Sequence, residues 1–219
     1  MRNRLFIKIC GMTKTEDVHY ALDAGVDAVG FIGYAKSPRF IDPEGVKRIC
    51  STINCIDTAI EGADSVKKVG VFVNAEFKQI RQYIDAGIDT VQLHGDESAE
   101  FAEKCAEFAE VWKVIKPQSE GDILKFTTFP ADKFLLDTFD KNLYGGTGIT
   151  MNYKIAKFAV DHLPKPVIMA GGISPDNSVE IIDTVHPYGL DINSGVESAP
   201  GIKDYSLIER LFVAISERA

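Results

Sequence analysis

The chain has 219 residues, of which 45% are hydrophobic, and its formal net charge is −8 at pH 7. Such a chain can bury a sizeable core, and its acidic balance without a local basic patch argues against nucleic-acid binding. Its apolar runs are far shorter than the ~20 residues of a membrane span, and its first residues lack a signal-peptide pattern. We therefore expect a cytoplasmic protein without membrane association. The four cysteines have no CxxC spacing, which predicts reduced thiols.

Eight short runs rich in β-branched and aliphatic residues alternate with amphipathic segments along the whole chain. The runs are residues 5–9, 27–32, 68–73, 89–94, 111–116, 133–137, 166–171 and 189–193. Strands separated by helices run parallel, and eight such units predict an α/β fold, a closed (β/α)8 TIM barrel that forms a single domain over residues 1–219. An open doubly wound sheet is the alternative, but no glycine-rich dinucleotide-binding turn follows the first run.

Helix boundaries are indicated by capping residues and glycines between the runs. The predicted helix starts are a capping box at Thr13 and Glu16, an N-cap at Asn74, and Ser174 followed by Pro175. Gly25 and Gly87 are predicted to end the first and third helices. The stretch 53–67 is the one irregular region, and we expect it to be an extended connection from a helix to a strand.

In a (β/α)8 barrel the active site lies at the carboxyl ends of the strands. Side chains alternate along a strand, so Lys8 and Cys10 are predicted to face the barrel interior. The same alternation turns inward the pairs Gln92 and His94, Leu135 and Asp137, and Asp191 and Asn193. The polar members of these pairs are therefore the candidates for chemistry.

Cys10 and Asp137 are the candidate base and acid. Most cysteines are small core residues, as we expect for Cys105, but a thiol beside Lys8 at a strand end is predicted to have a lowered pKa and to act as a thiolate base or nucleophile. Asp137 follows an apolar run, where desolvation would raise its pKa as a general acid requires. An N-cap or loop-ordering role for Asp137 remains the alternative.

Glycine clusters follow the last two runs, where barrels frequently hold a phosphate. The candidate phosphate-binding residues are Gly171, Gly172, Asn193, Ser194 and Gly195. Glycines that serve only tight turns are the alternative. A third cluster, "YGGTG", spans residues 144–148.

Two further side chains are candidates for substrate binding. Arg39 lies in the long loop "YAKSPRFIDP", where a planar guanidinium would grip a carboxylate with two hydrogen bonds; the alternative is a solvated surface arginine. His94 is a candidate for binding a carbonyl, ring or anion, or for a structural role.

Taken together, the motifs resemble the phosphoribosylanthranilate isomerase family of tryptophan biosynthesis. They are "KICGMT", "VGFIGYAKSPRFI", "VGVFVN", "VQLHGDE", "WKVIK", "LLDTF", "GGTG", "MAGGISPDN" and "DINSGVESAPGIKD", and they span nearly the whole chain. The resemblance implies a phosphate-binding barrel without metal or organic cofactor, whose substrate is phosphoribosylanthranilate. It implies that Cys10 is the general base, Asp137 the general acid and Arg39 the anchor of the anthranilate carboxylate. His94 matches a residue on the anthranilate side, and Asp191 matches an aspartate near the ribosyl group.

The chain departs from the family pattern at a few positions. Met151, Asn152 and Tyr153 replace an aromatic, an acidic residue and a tryptophan after "GGTG", and Asn193 stands where small residues are commoner. The rival functions are a metal-dependent phosphosugar epimerase, a Schiff-base aldolase and a non-catalytic phosphoribosyl-ligand sensor. The chain lacks the set of histidines that the epimerase would need to bind its metal. It also lacks the lysine that the aldolase would need at the sixth strand. The sensor would need neither Cys10 nor Asp137. We expect a monomer or a homodimer.

Overall fold

A computed structural model describes residues 4–57, 65–137 and 153–217. Its eight parallel strands close into one barrel, in chain order around the ring. The strands are β1 (Phe6–Ile9), β2 (Ala28–Ile32), β3 (Lys67–Phe72), β4 (Thr90–Leu93), β5 (Glu110–Ile115), β6 (Lys133–Asp137), β7 (Val167–Ala170) and β8 (Gly189–Ile192). The predicted (β/α)8 barrel is confirmed, and the predicted strand boundaries are correct to within one residue.

Helices follow the strands on the outside of the barrel. They are α1 (Thr15–Ala24), α2 (Pro43–Asp57), α3 (Phe77–Asp85), α4 (Ala99–Ala106), α5 (Glu120–Leu124), α6 (Tyr153–His162), α7 (Ser178–Val185) and α8 (Tyr205–Ser216). After β8 the chain forms a short 3-10 turn (Ser194–Val196) and a small antiparallel hairpin, β9 (Glu197–Ala199) and β10 (Ile202–Lys203), before α8 begins. In the described part of the chain, no helix is both long and apolar enough to span a membrane.

Two apolar layers hold this architecture together. The larger lies between strands and helices and contains Ile7 and Ile9 of β1. The smaller fills the barrel interior and consists of Phe6, Ala28, Val69, Trp112, Val114, Leu135 and Ile168. Alternate residues of β1 thus pack in different layers, as the sequence pattern predicts. Cys105 is fully buried in the outer layer, which confirms its expected core position.

The predicted helix starts are wrong, and two of the three candidate residues, Thr13 and Asn74, bond to other loops instead. Thr13 donates its hydroxyl to the Gly201 carbonyl at 2.8 Å, and α1 begins at Thr15 with no side-chain cap. The Asn74 side chain accepts a hydrogen bond from the Asp96 N–H at 2.7 Å, three residues before α3 begins. Ser174 lies in a turn that precedes α7, with its carbonyl accepting from the Ser178 N–H at 3.1 Å.

The predicted helix ends are close to those observed. Gly25 directly follows α1 with φ of 92°, a left-handed conformation that glycine adopts without strain. Gly87 comes two residues after α3 and has φ of 112°. Of the irregular stretch 53–67, the first part belongs to α2 and residues 58–64 lie outside the described residues. The cluster at 144–148 and the positions of Met151 and Asn152 also lie outside them, whereas Tyr153 opens α6.

Candidate active site

A cavity of about 180 Å³ opens at the carboxyl ends of the strands. The predicted site residues that line it are Cys10, His94, Asp137, Gly171, Gly172, Asp191, Asn193 and Ser194. They come from five different strands and the loops that follow them, so the barrel brings together residues far apart in the sequence. The predicted inward orientation is confirmed for Cys10, His94, Asp137, Asp191 and Asn193.

Cys10 lies directly after β1, next to a buried ion pair. The Lys8 ammonium donates to both carboxylate oxygens of Asp191, at 2.9 and 2.8 Å, and the Lys8 side chain is 0% exposed. Lys8 and Asp191 are register partners where β1 meets β8, so strand pairing alone places the two groups opposite each other. A buried charge of this kind is tolerated only when it is paired and hydrogen-bonded, as here.

Gly30 of β2 gives the thiol and the ammonium room to lie side by side. A Cβ at Gly30 would come within 2.7 Å of the Cys10 sulfur and 3.0 Å of the Lys8 Nζ. Both groups therefore converge on the same point of the neighbouring strand. A glycine is required there because any side chain would displace the thiol.

The protonation of Cys10 differs from the sequence-based expectation. Burial raises the pKa of the Cys10 thiol; Lys8 lowers it, but the Asp191 carboxylate raises it, and the net shift is upward. The predicted lowered pKa is thus wrong. Lys8 does favour the thiolate, but desolvation of the site and its own pairing with Asp191 outweigh that effect.

Asp137 ends β6 and faces His94 across the cavity. The His94 Nε2 lies 3.6 Å from the Asp137 Oδ2, and the two side chains are 28% and 23% exposed. This distance is longer than a normal hydrogen bond. Both groups thus remain partly open to the cavity, where a ligand can reach them.

The loops after β7 and β8 provide backbone N–H groups at the same rim. Gly171 and Gly172 have φ of 85° and 65°, a pair of left-handed conformations that only glycine readily adopts. Among the residues that the structure describes, no acceptor pairs with the backbone N–H of Gly171, Gly172, Ser194 or Gly195. Unpaired N–H groups on two adjacent loops are suited to binding an anion.

The two loops are in close contact with each other. A Cβ at Gly195 would lie 1.9 Å from the Ile173 carbonyl oxygen, so the β8 loop fits against the β7 loop only with glycine at this position. Asn177 orders the β7 loop further: its side chain accepts from the Ser174 N–H at 2.8 Å and donates to the Gly172 carbonyl at 3.0 Å. The conformation of the two loops is therefore fixed by contacts within the protein.

Arg39 lies beside the cavity rather than in its lining. Its side chain crosses Gly11, where a Cβ would be 2.8 Å from the Arg39 Cδ, and its Nε and Nη2 bond to the carboxylate of Glu197. The Arg39 side chain thus passes over the residue that follows Cys10, and its guanidinium is already held by one carboxylate. The alternative, that Arg39 is a solvated surface arginine, is wrong.

Sequence reasoning missed two residues of this region as site candidates, Glu197 and Lys203, and it turned Gln92 inward without giving it a role. Glu197 and Lys203 form a buried ion pair of 2.9 Å beneath Arg39. Gln92 lines the cavity, and its buried side-chain oxygen has no hydrogen-bond partner among the described residues. Alternation along "VQLHG" predicts that Gln92 faces inward. Glu197 is 158 positions from Arg39, so no local sequence pattern indicates the contact between them.

A larger cavity of about 640 Å³ lies between the loops after β3, β4 and β5. Among the predicted site residues, only His94 lines it. Its wall contains the buried ion pair of Lys113 and Glu97, with 2.8 Å between Nζ and Oε2. Because the smaller cavity contains the thiol, the aspartate and the glycine loops together, the smaller one is the candidate active site.

The chain is similar to known proteins along most of its length. The family model described as N-(5'-phosphoribosyl)anthranilate (PRA) isomerase matches residues 7–214. A protein of Aquifex aeolicus named N-(5'-phosphoribosyl)anthranilate isomerase is 42% identical over 206 residues, which cover 92% of this chain and 94% of that protein.

Solved structures show the same likeness. The phosphoribosyl anthranilate isomerase of Thermotoga maritima has a TM-score of 0.84 and 35% identity, covering 98% of this chain and 100% of that one. A phosphoribosyl anthranilate isomerase in complex with reduced 1-(o-carboxyphenylamino)-1-deoxyribulose 5-phosphate has a TM-score of 0.81 and 33% identity, with the same coverage.

Proposed function

Because the chain belongs to the N-(5'-phosphoribosyl)anthranilate isomerase family and is an isomerase of tryptophan biosynthesis, we propose that it catalyses the Amadori rearrangement of N-(5-phosphoribosyl)anthranilate with Asp137 as general acid and Cys10 as general base. The product is 1-(2-carboxyphenylamino)-1-deoxyribulose 5-phosphate. The observation that carries the proposal is the presence of a thiol, a carboxyl group and two N–H-rich glycine loops around one cavity.

The two anions of the substrate need two anchors. The unpaired N–H groups of the β7 and β8 loops hold the phosphate, and Arg39 holds the anthranilate carboxylate. The ribosyl group then lies between them, within reach of Cys10 and Asp137. Fixing both ends converts the proton transfers into steps within one oriented complex.

The reaction consists of two proton transfers and a tautomerisation. Protonated Asp137 donates its proton to the ring oxygen as the C1'–O bond breaks, and the anthranilate nitrogen supplies the electron pair that forms the Schiff base. The Cys10 thiolate then removes the proton from C2', which gives an enolamine. The enolamine tautomerises to the aminoketone product, and no oxidant or reductant is consumed.

Lys8 and Asp191 set how readily Cys10 ionises. The ammonium beside the sulfur stabilises the thiolate, while burial and the Asp191 carboxylate oppose it. In the ligand-free protein the base is therefore mostly protonated at neutral pH. The reactive form is the thiolate, which becomes more abundant as the pH rises.

Turnover of the purified protein on N-(5-phosphoribosyl)anthranilate, followed as loss of substrate fluorescence, tests the proposal. Cys10→Ser and Asp137→Asn are each expected to lower kcat by roughly 10²–10⁴, the usual contribution of a general acid or base. Cys105→Ala is the matched control, because Cys105 is an equally buried thiol in the helix layer. Full activity in either site variant would remove that residue from the mechanism, and binding without turnover by the unmodified protein would favour the sensor.

A further inference from the structure

We propose that Glu197 is a positioning residue that aims Arg39 at the substrate carboxylate and thereby sets the preference of the enzyme for a carboxylated aromatic amine. This inference rests on the proposed function. It concerns a residue on the β9 hairpin, outside the strands that supply the acid and the base. Glu197 acts on the substrate only through Arg39.

The contact between the two side chains has a fixed geometry. The Arg39 Nε donates to Glu197 Oε1 at 3.0 Å and to Oε2 at 2.9 Å, and Nη2 donates to Oε2 at 2.6 Å. Glu197 therefore occupies one edge of the guanidinium. In the described part of the chain, Nη1 on the other edge donates to no group. A guanidinium has two such edges, each able to bind a carboxylate with two hydrogen bonds.

The charges of this cluster do not cancel, and the excess positive charge is suited to one more anion. Glu197 also accepts from the Lys203 Nζ at 2.9 Å, and the side chains of Glu197 and Lys203 are 3% and 0% exposed. Burial raises the pKa of the Glu197 carboxyl, but hydrogen bonds from Arg39 and Lys203 outweigh it, so the net shift is downward and the group is ionised. Two cations thus share one carboxylate, and the remaining positive charge is suited to the carboxylate of a ligand.

The same network fixes the distance of Arg39 from the rest of the site. Lys203 Nζ also donates to the Asn193 carbonyl and side-chain oxygens, at 3.3 and 3.2 Å. Gly11, with φ of 75°, lies between the Arg39 Cδ and the Asn193 side-chain oxygen, and a Cβ there would be within 2.8 Å of both. The Arg39 side chain is therefore held against Gly11, the residue that follows Cys10.

A merely structural ion pair would predict a different outcome from a positioning residue. If Glu197 only joins the loop after β2 to the hairpin, its loss harms every substrate equally. If it orients Arg39, the loss is confined to substrates that carry the carboxylate. Two substrates that differ only in this group separate the possibilities.

The experiment compares kcat/KM for N-(5-phosphoribosyl)anthranilate with kcat/KM for the aniline adduct of ribose 5-phosphate, which lacks the carboxylate. The unmodified protein is expected to prefer the carboxylated substrate. Glu197→Gln should reduce that preference at least tenfold, mainly through KM. The double variant Glu197→Gln with Arg39→Met should lose no more of the preference than Arg39→Met alone, because both changes remove the same interaction.

Asp176→Asn is the matched control, since Asp176 forms an ion pair with an arginine, Arg210, at 2.7 Å on the surface. It should leave the preference unchanged. If Glu197→Gln does not fold, Glu197→Asp keeps the charge but withdraws the carboxylate, and the same loss of preference is expected. An equal loss on both substrates, or an unchanged preference, would overturn the role of Glu197. Failure of the unmodified protein to turn over either substrate would instead overturn the proposed function.

Discussion

Replacement of Gly195 by alanine tests the proposed phosphate anchor more directly than any change of a charged residue. The new Cβ would lie 1.9 Å from the Ile173 carbonyl oxygen, 2.8 Å from its carbonyl carbon and 2.9 Å from the Ser174 Cα. All three neighbours are backbone atoms, which have no rotamer to change. The β7 and β8 loops must therefore separate.

The required movement can be worked out from these distances. Ordinary van der Waals contact of a Cβ begins at 3.4 Å, so the loops must part by about 1.5 Å at this point. Misplacing a binding group by ~1 Å can cost about 10²-fold in rate. Overpacking of this kind typically costs about 1–3 kcal/mol of stability, which a barrel of this size can survive.

We expect Gly195→Ala to lower kcat/KM by about 10²-fold, mainly through KM. Inhibition by inorganic phosphate should weaken in parallel, because it reports on the same N–H groups without the rest of the substrate. Gly121→Ala in α5 is the control, since the nearest atom to its new Cβ is the Ser119 hydroxyl at 3.7 Å. If Gly195→Ala folds and keeps both KM and phosphate inhibition unchanged, the phosphate is bound elsewhere.

Three further predictions concern the remaining groups. First, because burial raises the pKa of Cys10, its thiol should ionise only above the usual thiol range, measured as the pH dependence of its alkylation; a thiol already ionised at neutral pH would contradict this. Second, Lys8→Met removes a charge that favours the thiolate, so this ionisation should move to higher pH; it also leaves Asp191 unpaired, at a cost of about 3–5 kcal/mol measurable by denaturant unfolding. An unmoved ionisation would show that Lys8 does not act on Cys10. Third, Arg39→Met should raise KM with a smaller effect on kcat, and an unchanged KM in steady-state assays would exclude the carboxylate anchor.

The sequence predicts the barrel well because the strands repeat a simple physical pattern. Alternation in β1 separates Ile7 and Ile9 in the helix layer from Lys8 and Cys10 in the interior, and it requires no knowledge of the rest of the fold. The same argument correctly turns Asp137 toward the cavity. Local sequence patterns are enough to predict which way side chains point wherever one face of a strand is apolar throughout.

The failures of prediction arise where a residue bonds to a distant part of the chain. Thr13 and Asn74 look like helix caps, yet each bonds to another loop at the barrel mouth. The pKa of Cys10 is governed by burial and by Asp191, neither of which is visible in "KICG". The Glu197 contact with Arg39 likewise depends on closure of the barrel.

The pairing of β1 with β8 has a consequence for the order in which the site is built during synthesis. Cys10 emerges from the ribosome long before its neighbours Asp191 and Lys203. Until β8 docks, Lys8 has no carboxylate partner and the rim lacks one of its two glycine loops. Activity should therefore appear only with the last strand, and a fragment of residues 1–187 should remain inactive until a peptide of residues 188–219 is added.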